Sequence, residues 1–420
     1  MSTSYANNPA NLKSHQSHTK TAPITPDLTI IPKDMPNTPT ESATATHVTR
    51  ANAAISSDAG TSSTYLTFGG CNYLALAHHP KIIAAAQAAL QTFGLSTSAS
   101  RQTTGNARPH ANLEAALAQF TNAPAALLLP DGYTANLAAL QALKAQGIQH
   151  ALLDTRAHAS LYDAAKLAQM TIHTYNHLDA HHASQILNTL NEPAAILTDA
   201  VFTTDGDLAP AQQLVQLLDN QPNQPNQPNQ HHLLLDDCHG FAVLGKDGRG
   251  TANHLNITHP NLIITTTLLK GLGCAGGVVI ASSELVESAI NTSTAYICTT
   301  PASPALAAAG LTALQILQSS PERHQQLQSN ITHTRAILNA LGITTHNNPT
   351  PIFAFTLGTK EDMESIEQQL LDQHIILPLM HYPNGPAPTY FRLSLNADHT
   401  QDHINQLNAA LTNALKVQHA

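Results

Sequence analysis

Charge is scarce in this 420-residue chain. Asp, Glu, Lys and Arg together make up 11%, against about 25% in an average globular protein. The solubilising surface must therefore come from Asn, Gln, Thr, Ser and the 25 His. Eighteen basic residues against 27 acidic ones leave a net charge of −9. Phosphate-backbone binding wants clustered Lys and Arg, which argues against nucleic acid as the main partner. No basic amphipathic stretch points to a membrane surface. No window reaches 18 apolar residues, so no transmembrane helix is expected. Cysteine is sparse too: Cys71, Cys238, Cys274 and Cys298 lie far apart with no CxxC pair. That excludes a disulfide scaffold in a chain this long and suits a reducing, cytoplasmic setting. The first residues carry no apolar h-region, so no secretory signal is expected.

What is present is a hydrophobic fraction of 42%, enough for a sizeable core. At roughly 150 residues per domain, the length suggests two or three domains. Residues 1–62, rich in Thr, Ser, Asn, Pro and Ala, show no sustained period and read as a largely disordered arm. QPNQPNQPNQ at 221–230 repeats Pro every third residue and can hold neither helix nor strand; it reads as a solvated loop. Between these lies a βα alternation. LLL at 127–129, ALLD at 151–154, AAILTDAVF at 194–202, HLLLDD at 232–237, NLIITTT at 261–267 and GVVIAS at 277–282 are short apolar runs separated by helical stretches. Such runs suit strands buried on both faces of a largely parallel sheet. From about residue 320 the order becomes helix, strand, helix, strand, helix. The fold class is therefore α/β, with a large domain at 63–318 and a small α+β domain at 319–420.

Open α/β sheets gather functional groups at the carboxyl ends of their strands. Asp131, Gly132, Tyr133, Thr134 and Asn136 follow the first run. His158, Ser160 and Tyr162 follow the second, and Thr203, Thr204 and Asp205 the third. Asp236, Asp237, Cys238, His239 and Gly240 close the fourth. Thr267, Lys270 and several glycines end the fifth. A lysine beside glycines can form a Schiff base, because the glycines let the backbone approach a ligand and burial frees the amine for attack on an aldehyde. A single such lysine is commonly just solvated; its weight comes from partners. Asp236 offers the carboxylate that a pyridinium nitrogen needs. Gly132 and Tyr133 open a helix whose N–H groups suit a phosphate. Thr267 adds a hydroxyl, and His158 can stack on a ring. The pairs His78-His79, His181-His182 and His231-His232 read as composition rather than metal ligands, and no metal is expected. Cys238 and His239 are not expected to act together, since neighbours on a strand face opposite ways.

NYLALAHHP, ASRQTTGNARPHANLE, DGYTAN, HASL, DAVFTTDGDLAP, DDCHGFAVLGKDGRG, TLLKGLGCAGG and YICTTPASP stand in the order seen in the α-oxoamine synthases, which the chain resembles over about residues 65–310. FRLSLNADHT extends the resemblance into the C-terminal part. The resemblance implies a fold-type I pyridoxal 5'-phosphate enzyme with a mostly parallel seven-stranded sheet, acting as a homodimer. It implies that Lys270 is the Schiff-base lysine, Asp236 the pyridinium partner, His239 the ligand of the ring hydroxyl and His158 the stacking histidine. Gly132, Tyr133, Thr203 and Thr267 fall at cofactor-binding positions. Thr299 and Thr300 fall in the segment that reaches the phosphate of the other subunit. Arg392 matches the arginine for the amino-acid carboxylate, and Asn72 lies in a segment near the substrate.

HGFAVLGKDGRG, DGDLAP and YICTTPASPALAAA are most similar to the members that condense L-alanine with a pimeloyl thioester, carried on coenzyme A or acyl carrier protein. The alternatives are glycine or serine with another acyl-CoA, and a non-catalytic relative that keeps the cofactor. Three positions depart from the family pattern: Asp131 before the Gly-Tyr pair, Leu269 before the lysine, and Tyr390 two residues before Arg392. So does the loop from His381 to Tyr390.

Overall fold

The computed structural model describes residues 44–46, 52–56, 62–219, 231–382 and 385–418. The Gln-Pro-Asn repeat and most of the N-terminal arm lie outside the described residues. Two parts of that arm are strands, however. β1 (Thr44–Thr46) pairs antiparallel with β2 (Asn52–Ser56), and β2 with β3 (Ser62–Thr67). β2 is held between β1 and β3, a pairing that composition does not reveal.

The apolar runs build the central sheet from β4 (Ala125–Leu129), β5 (His150–Asp154), β6 (Thr171–Tyr175), β7 (Ala194–Asp199), β8 (His232–Asp236), β9 (Leu262–Thr267) and β10 (Gly277–Ala281). Their order is β4-β10-β9-β8-β7-β5-β6. Only β10 runs against the rest, antiparallel to both β4 and β9. Successive side chains on each strand enter different cores, as the period of two requires. Leu127, Leu129, Leu153, Leu197 and Leu234 pack with the helices Gly132–Ala145 and Ala159–Leu167. Leu152, Ile196, Leu233 and Leu235 pack on the opposite face. Burial on both faces is why these strands read as unbroken apolar runs. β6, TIHTY, is the exception: it lies at the sheet edge and is half exposed.

From β5 the chain steps outward to β6, then returns to β7 on the other side of β5. This reversal opens a crevice outside the carboxyl ends of β5 and β7, the place where ligands bind in open α/β sheets. The remaining strands are β11 (Ile352–Phe355), β12 (Ile375–Ile376), β13 (Leu379–Met380) and β14 (Tyr390–Ser394). β14 lies between β11 and β13, antiparallel to each, and carries Arg392. β12 joins β3 in parallel. Phe353, Phe391 and Leu393 share one core with Leu66, Phe68 and Leu128, which anchors β14 against the central sheet.

Candidate active site

The carboxyl ends of β4, β5, β7, β8 and β9 converge on one cleft, lined by Gly132, Tyr133, His158, Thr203, Asp236, His239, Thr267 and Lys270, together with Asp131, Asp199, Cys238 and Leu269. Eight residues singled out in the sequence thus meet in one place. Asn72, Thr299, Thr300 and Arg392 do not line it.

His239 is the hub. Its Nε2 lies 2.8 Å from Lys270 Nζ and 2.7 Å from Thr203 Oγ1. Its Nδ1 lies 2.6 Å from the Tyr73 hydroxyl. An ammonium has donors only, so Nε2 accepts from Lys270 and Nδ1 carries the proton towards Tyr73. Burial first, and then the Lys270 charge, push His239 well below the usual histidine range. Its ring is neutral at pH 7.

Asp236 ends β8 with its carboxylate in the cleft and is buried. Oδ2 accepts from Asn136 Nδ2 at 2.8 Å, and Oδ1 from the Cys238 amide at 3.1 Å. Asp199 is its register partner on β7. Burial, and next the Asp236 charge, push the Asp199 carboxyl well above the usual range. Asp237 turns elsewhere. Its oxygens accept from the Thr251 amide at 2.8 Å and from the Thr251 hydroxyl, closing the loop that follows β8.

His158 caps the helix Ala159–Leu167, its Nδ1 meeting the Ser160 amide at 3.2 Å and the Ser160 hydroxyl at 2.7 Å. Burial lowers its pKa, opposed by Asp236. Cys238 and His239 lie in the turn beyond β8, not on the strand. Both line the cleft, so the expected separation on opposite faces does not hold. The thiol is still a poor nucleophile, because burial and then Asp236 push its pKa well up.

At the other end of the cleft the helix Gly132–Ala145 presents its N-terminus. The amides of a first helical turn have no intrahelical partners. Asp131 is the N-cap, and its carboxylate accepts the Thr134 amide at 2.8 Å. Engaged in this way, it leaves the amides of Gly132 and Tyr133 for a ligand. A Cβ on Gly132 would meet Cys238 Sγ at 3.2 Å and Thr267 Cβ at 3.4 Å, so the cradle is open only because residue 132 has no side chain. Thr267 donates to the Gly276 carbonyl at 3.1 Å and accepts from the Leu269 amide at 3.2 Å.

Arg392 reaches the site from β14. Its Nε donates to the Thr203 carbonyl at 2.8 Å and Nη1 to Ser394 Oγ at 2.8 Å. Asn72 instead accepts from the Leu76 amide at 3.1 Å, and its neighbour Tyr73 is the residue that reaches the hub. Thr299 donates to the Ala295 carbonyl at 2.6 Å, and Thr300 is exposed. Tyr73, Asn136 and Asp199 had been given no role. Asn136 has a signal, four residues after Gly132 and hence on the same helix face. Asp199 also has one, as the last residue of an apolar strand. Tyr73 stands beside Asn72 in NYLALAHHP, but nothing local shows its bond to His239, 166 residues away.

Residues 63–411 match the family described as aminotransferase class I and II. The chain belongs to this family, in its α-oxoamine synthase branch. The 8-amino-7-oxononanoate synthase of Hahella chejuensis is 36% identical over 346 residues, covering 82% of this chain and 85% of that protein. A high-resolution structure of SPT with PLP superposes with a TM-score of 0.80 at 26% identity, covering 90% of this chain and 92% of that one. The 8-amino-7-oxononanoate synthase of Francisella tularensis gives a TM-score of 0.71 at 25% identity, over 85% of this chain and all but 1% of that one (99%). The fold is that of the fold-type I pyridoxal-phosphate transferases. Pyridoxal 5'-phosphate is the cofactor of the family, and the cleft suits it: an amine, a buried carboxylate and a glycine-lined helix N-terminus face one space. Among the described residues no group of three or more His, Cys, Asp or Glu could hold a metal ion. No described helix is long and apolar enough to cross a membrane.

Proposed function

We propose that the chain condenses L-alanine with a pimeloyl thioester, on coenzyme A or acyl carrier protein, giving 8-amino-7-oxononanoate, CO2 and the free thiol carrier, a step of biotin biosynthesis. One observation carries the reading: Lys270, His239 and Asp236 converge in one buried cleft of a chain 36% identical to a synthase of that name. The enzyme works as a cytoplasmic homodimer, with a cofactor domain at 63–318 and a small domain at 319–420.

When bound, pyridoxal phosphate supplies a ring that accepts the electron pair left at the substrate Cα. Asp236 holds a proton on the pyridine nitrogen, which makes that ring a stronger electron acceptor. Lys270 Nζ supplies the amine that ties the cofactor to the chain, then takes and returns the Cα proton. His239 and Thr203 hold the ring hydroxyl, and His158 packs against the ring face. Gly132, Tyr133 and Thr267 bind the phosphate, joined by Thr299 and Thr300 of the other subunit. Arg392 grips the alanine carboxylate, because a guanidinium can pair with it bidentately, and Asn72 keeps the neighbouring loop in place beside it.

The greater TM-score of the SPT structure favours a second reading, the same chemistry with serine and a long acyl-CoA. A substrate panel separates the two. Alanine with pimeloyl thioester should turn over fastest, with release of one CO2 per product. Faster turnover of serine with a long acyl-CoA, or of glycine with acetyl-CoA, would replace the proposed substrates. No turnover with any pair would leave a cofactor-binding relative without this activity.

A further inference from the structure

From the cleft wall at Ser160 inward runs a chain of polar side chains that the roles above do not use. Thr265, Asn136 and Ser160 are each at most 2% exposed, so each hydrogen bond they make replaces one to water. Asn136 stands one turn into the helix Gly132–Ala145, which points it under the cleft floor rather than into the cleft. Its amide meets three groups at once. Nδ2 lies 2.8 Å from Asp236 Oδ2 and 2.9 Å from Ser160 Oγ, while Oδ1 meets the Thr265 hydroxyl. Ser160 Oγ in turn lies 2.7 Å from His158 Nδ1.

The directions of these bonds follow from the groups themselves. A carboxylate only accepts, so the NH2 side of the amide faces Asp236 and the oxygen faces Thr265. The Thr265 hydroxyl must then donate. The two amide hydrogens are spent on Asp236 and Ser160. Ser160 Oγ accepts one of them, which leaves its own hydrogen for His158 Nδ1. The Ser160 backbone amide donates to the same nitrogen. His158 Nδ1 is therefore an acceptor, and the ring proton sits on Nε2, the nitrogen that Ser160 does not engage.

We infer that Asn136 is a positioning residue which, from one amide, fixes both the orientation of Asp236 and the tautomer of His158. It touches neither substrate nor cofactor. Through Asp236 it aims the carboxylate at the pyridine nitrogen, and through Ser160 it presents an Nε2–H from the ring-stacking histidine. The two sides of the cofactor ring are thus set by one side chain, held in turn by Thr265. The inference rests on the functional reading above, which assigns Asp236 and His158 to the cofactor.

The test compares Asn136→Leu, similar in volume but without donors, with Ser160→Ala, which cuts only the His158 branch. Nitrogen-15 NMR of histidine-labelled protein, with and without cofactor, reads the His158 tautomer; the signal that disappears in His158→Asn identifies it. Wild type should show the proton on Nε2. Both variants should lower the share of the Nε2–H form, which the Ser160 backbone amide alone then supports. Asn136→Leu should also lower kcat at least about tenfold more than Ser160→Ala, the scale of a misaimed catalytic group. Alanine KM should stay within about twofold, since Arg392 is untouched. If Asn136→Leu does not fold, Thr265→Val releases the same amide and should move the tautomer and kcat in the same direction. A wild-type tautomer and kcat in these variants, with borohydride still fixing cofactor on Lys270, would overturn the inference and leave the functional reading intact. Failure of wild-type protein to label at Lys270 would sink the reading, and the inference with it.

Discussion

Asp236 and Asp237 are neighbours in sequence, yet the end of β8 sends them to different work. Asp236 faces the cleft, supported by Asn136 and the Cys238 amide. Asp237 faces the loop, where Cβ atoms on Gly240 and Gly250 would collide with its oxygens at 2.2 and 2.4 Å. Asp236→Asn should therefore keep the fold and lose at least about a hundredfold in kcat, the scale of one preorganised electrostatic group. Asp237→Asn should act on stability instead. Burial pushes the Asp237 carboxyl up to about 7, against the Thr251 bonds that lower it. A carboxyl raised in the folded state stabilises the fold when protonated. That contribution is complete below the ordinary value of about 4 and is lost as pH rises through 7. Asn cannot titrate, so the Tm of Asp237→Asn should fall less than that of wild type between pH 5 and 8. Parallel Tm curves, or loss of turnover only in Asp237→Asn, would show that the two carboxylates have been given the wrong roles.

At the scale of elements, the site depends on where β10 runs. Its first residue, Gly277, passes so close to the start of the helix Gly132–Ala145 that a Cβ there would lie 1.8 Å from the Asp131 carbonyl oxygen. Backbone cannot yield as a flexible side chain does. Gly277→Ala should thus displace the phosphate cradle, weakening cofactor binding at least about tenfold or preventing folding. Gly147→Ala, at the other end of the same helix, meets open space and should cost only about 1 kcal/mol for its positive φ. Thermal melts and cofactor titration of the pair distinguish the two effects, and equal behaviour would refute the crowding argument. The central strands were legible because burial on both faces leaves an unbroken apolar run. β6 escaped notice because an edge strand can keep Thr and His on its open side. β1 and β2 escaped because their pairing depends on β3. Within the site, strand-end residues such as Lys270 and Asp236 were legible from the topology rule, and the order of the motifs led to the roles proposed for them. The partners of Tyr73 and Asn136 were not, since bonds spanning 166 and 100 residues leave no local trace.

For the whole molecule, the position of Thr299 and Thr300 bears directly on assembly. Neither lines the cleft of its own chain, although the proposed function assigns both to the phosphate. The two statements agree only if a second copy brings them across. Exposed apolar side chains are in keeping with this: on or just after the helices Pro80–Phe93 and Pro304–Ser319, which pack together, Leu95 is 84% exposed, Ile83 42% and Leu306 39%, large side chains that a partner surface would cover. Light scattering should therefore give twice the chain mass of 44.5 kDa. Thr300→Glu adds a carboxylate where the phosphate of the other subunit is expected, and like charges repel. Cofactor affinity should fall at least about tenfold, with the dimer mass unchanged. Mixing this variant with Lys270→Ala gives the sharper reading. In a mixed dimer, one site combines the intact Lys270 with the intact Thr300 of the other chain, so part of the activity should return. At cofactor levels too low to load Thr300→Glu, parents that gain no activity on mixing, while mixed dimers form, would place Thr300 in the same chain's site.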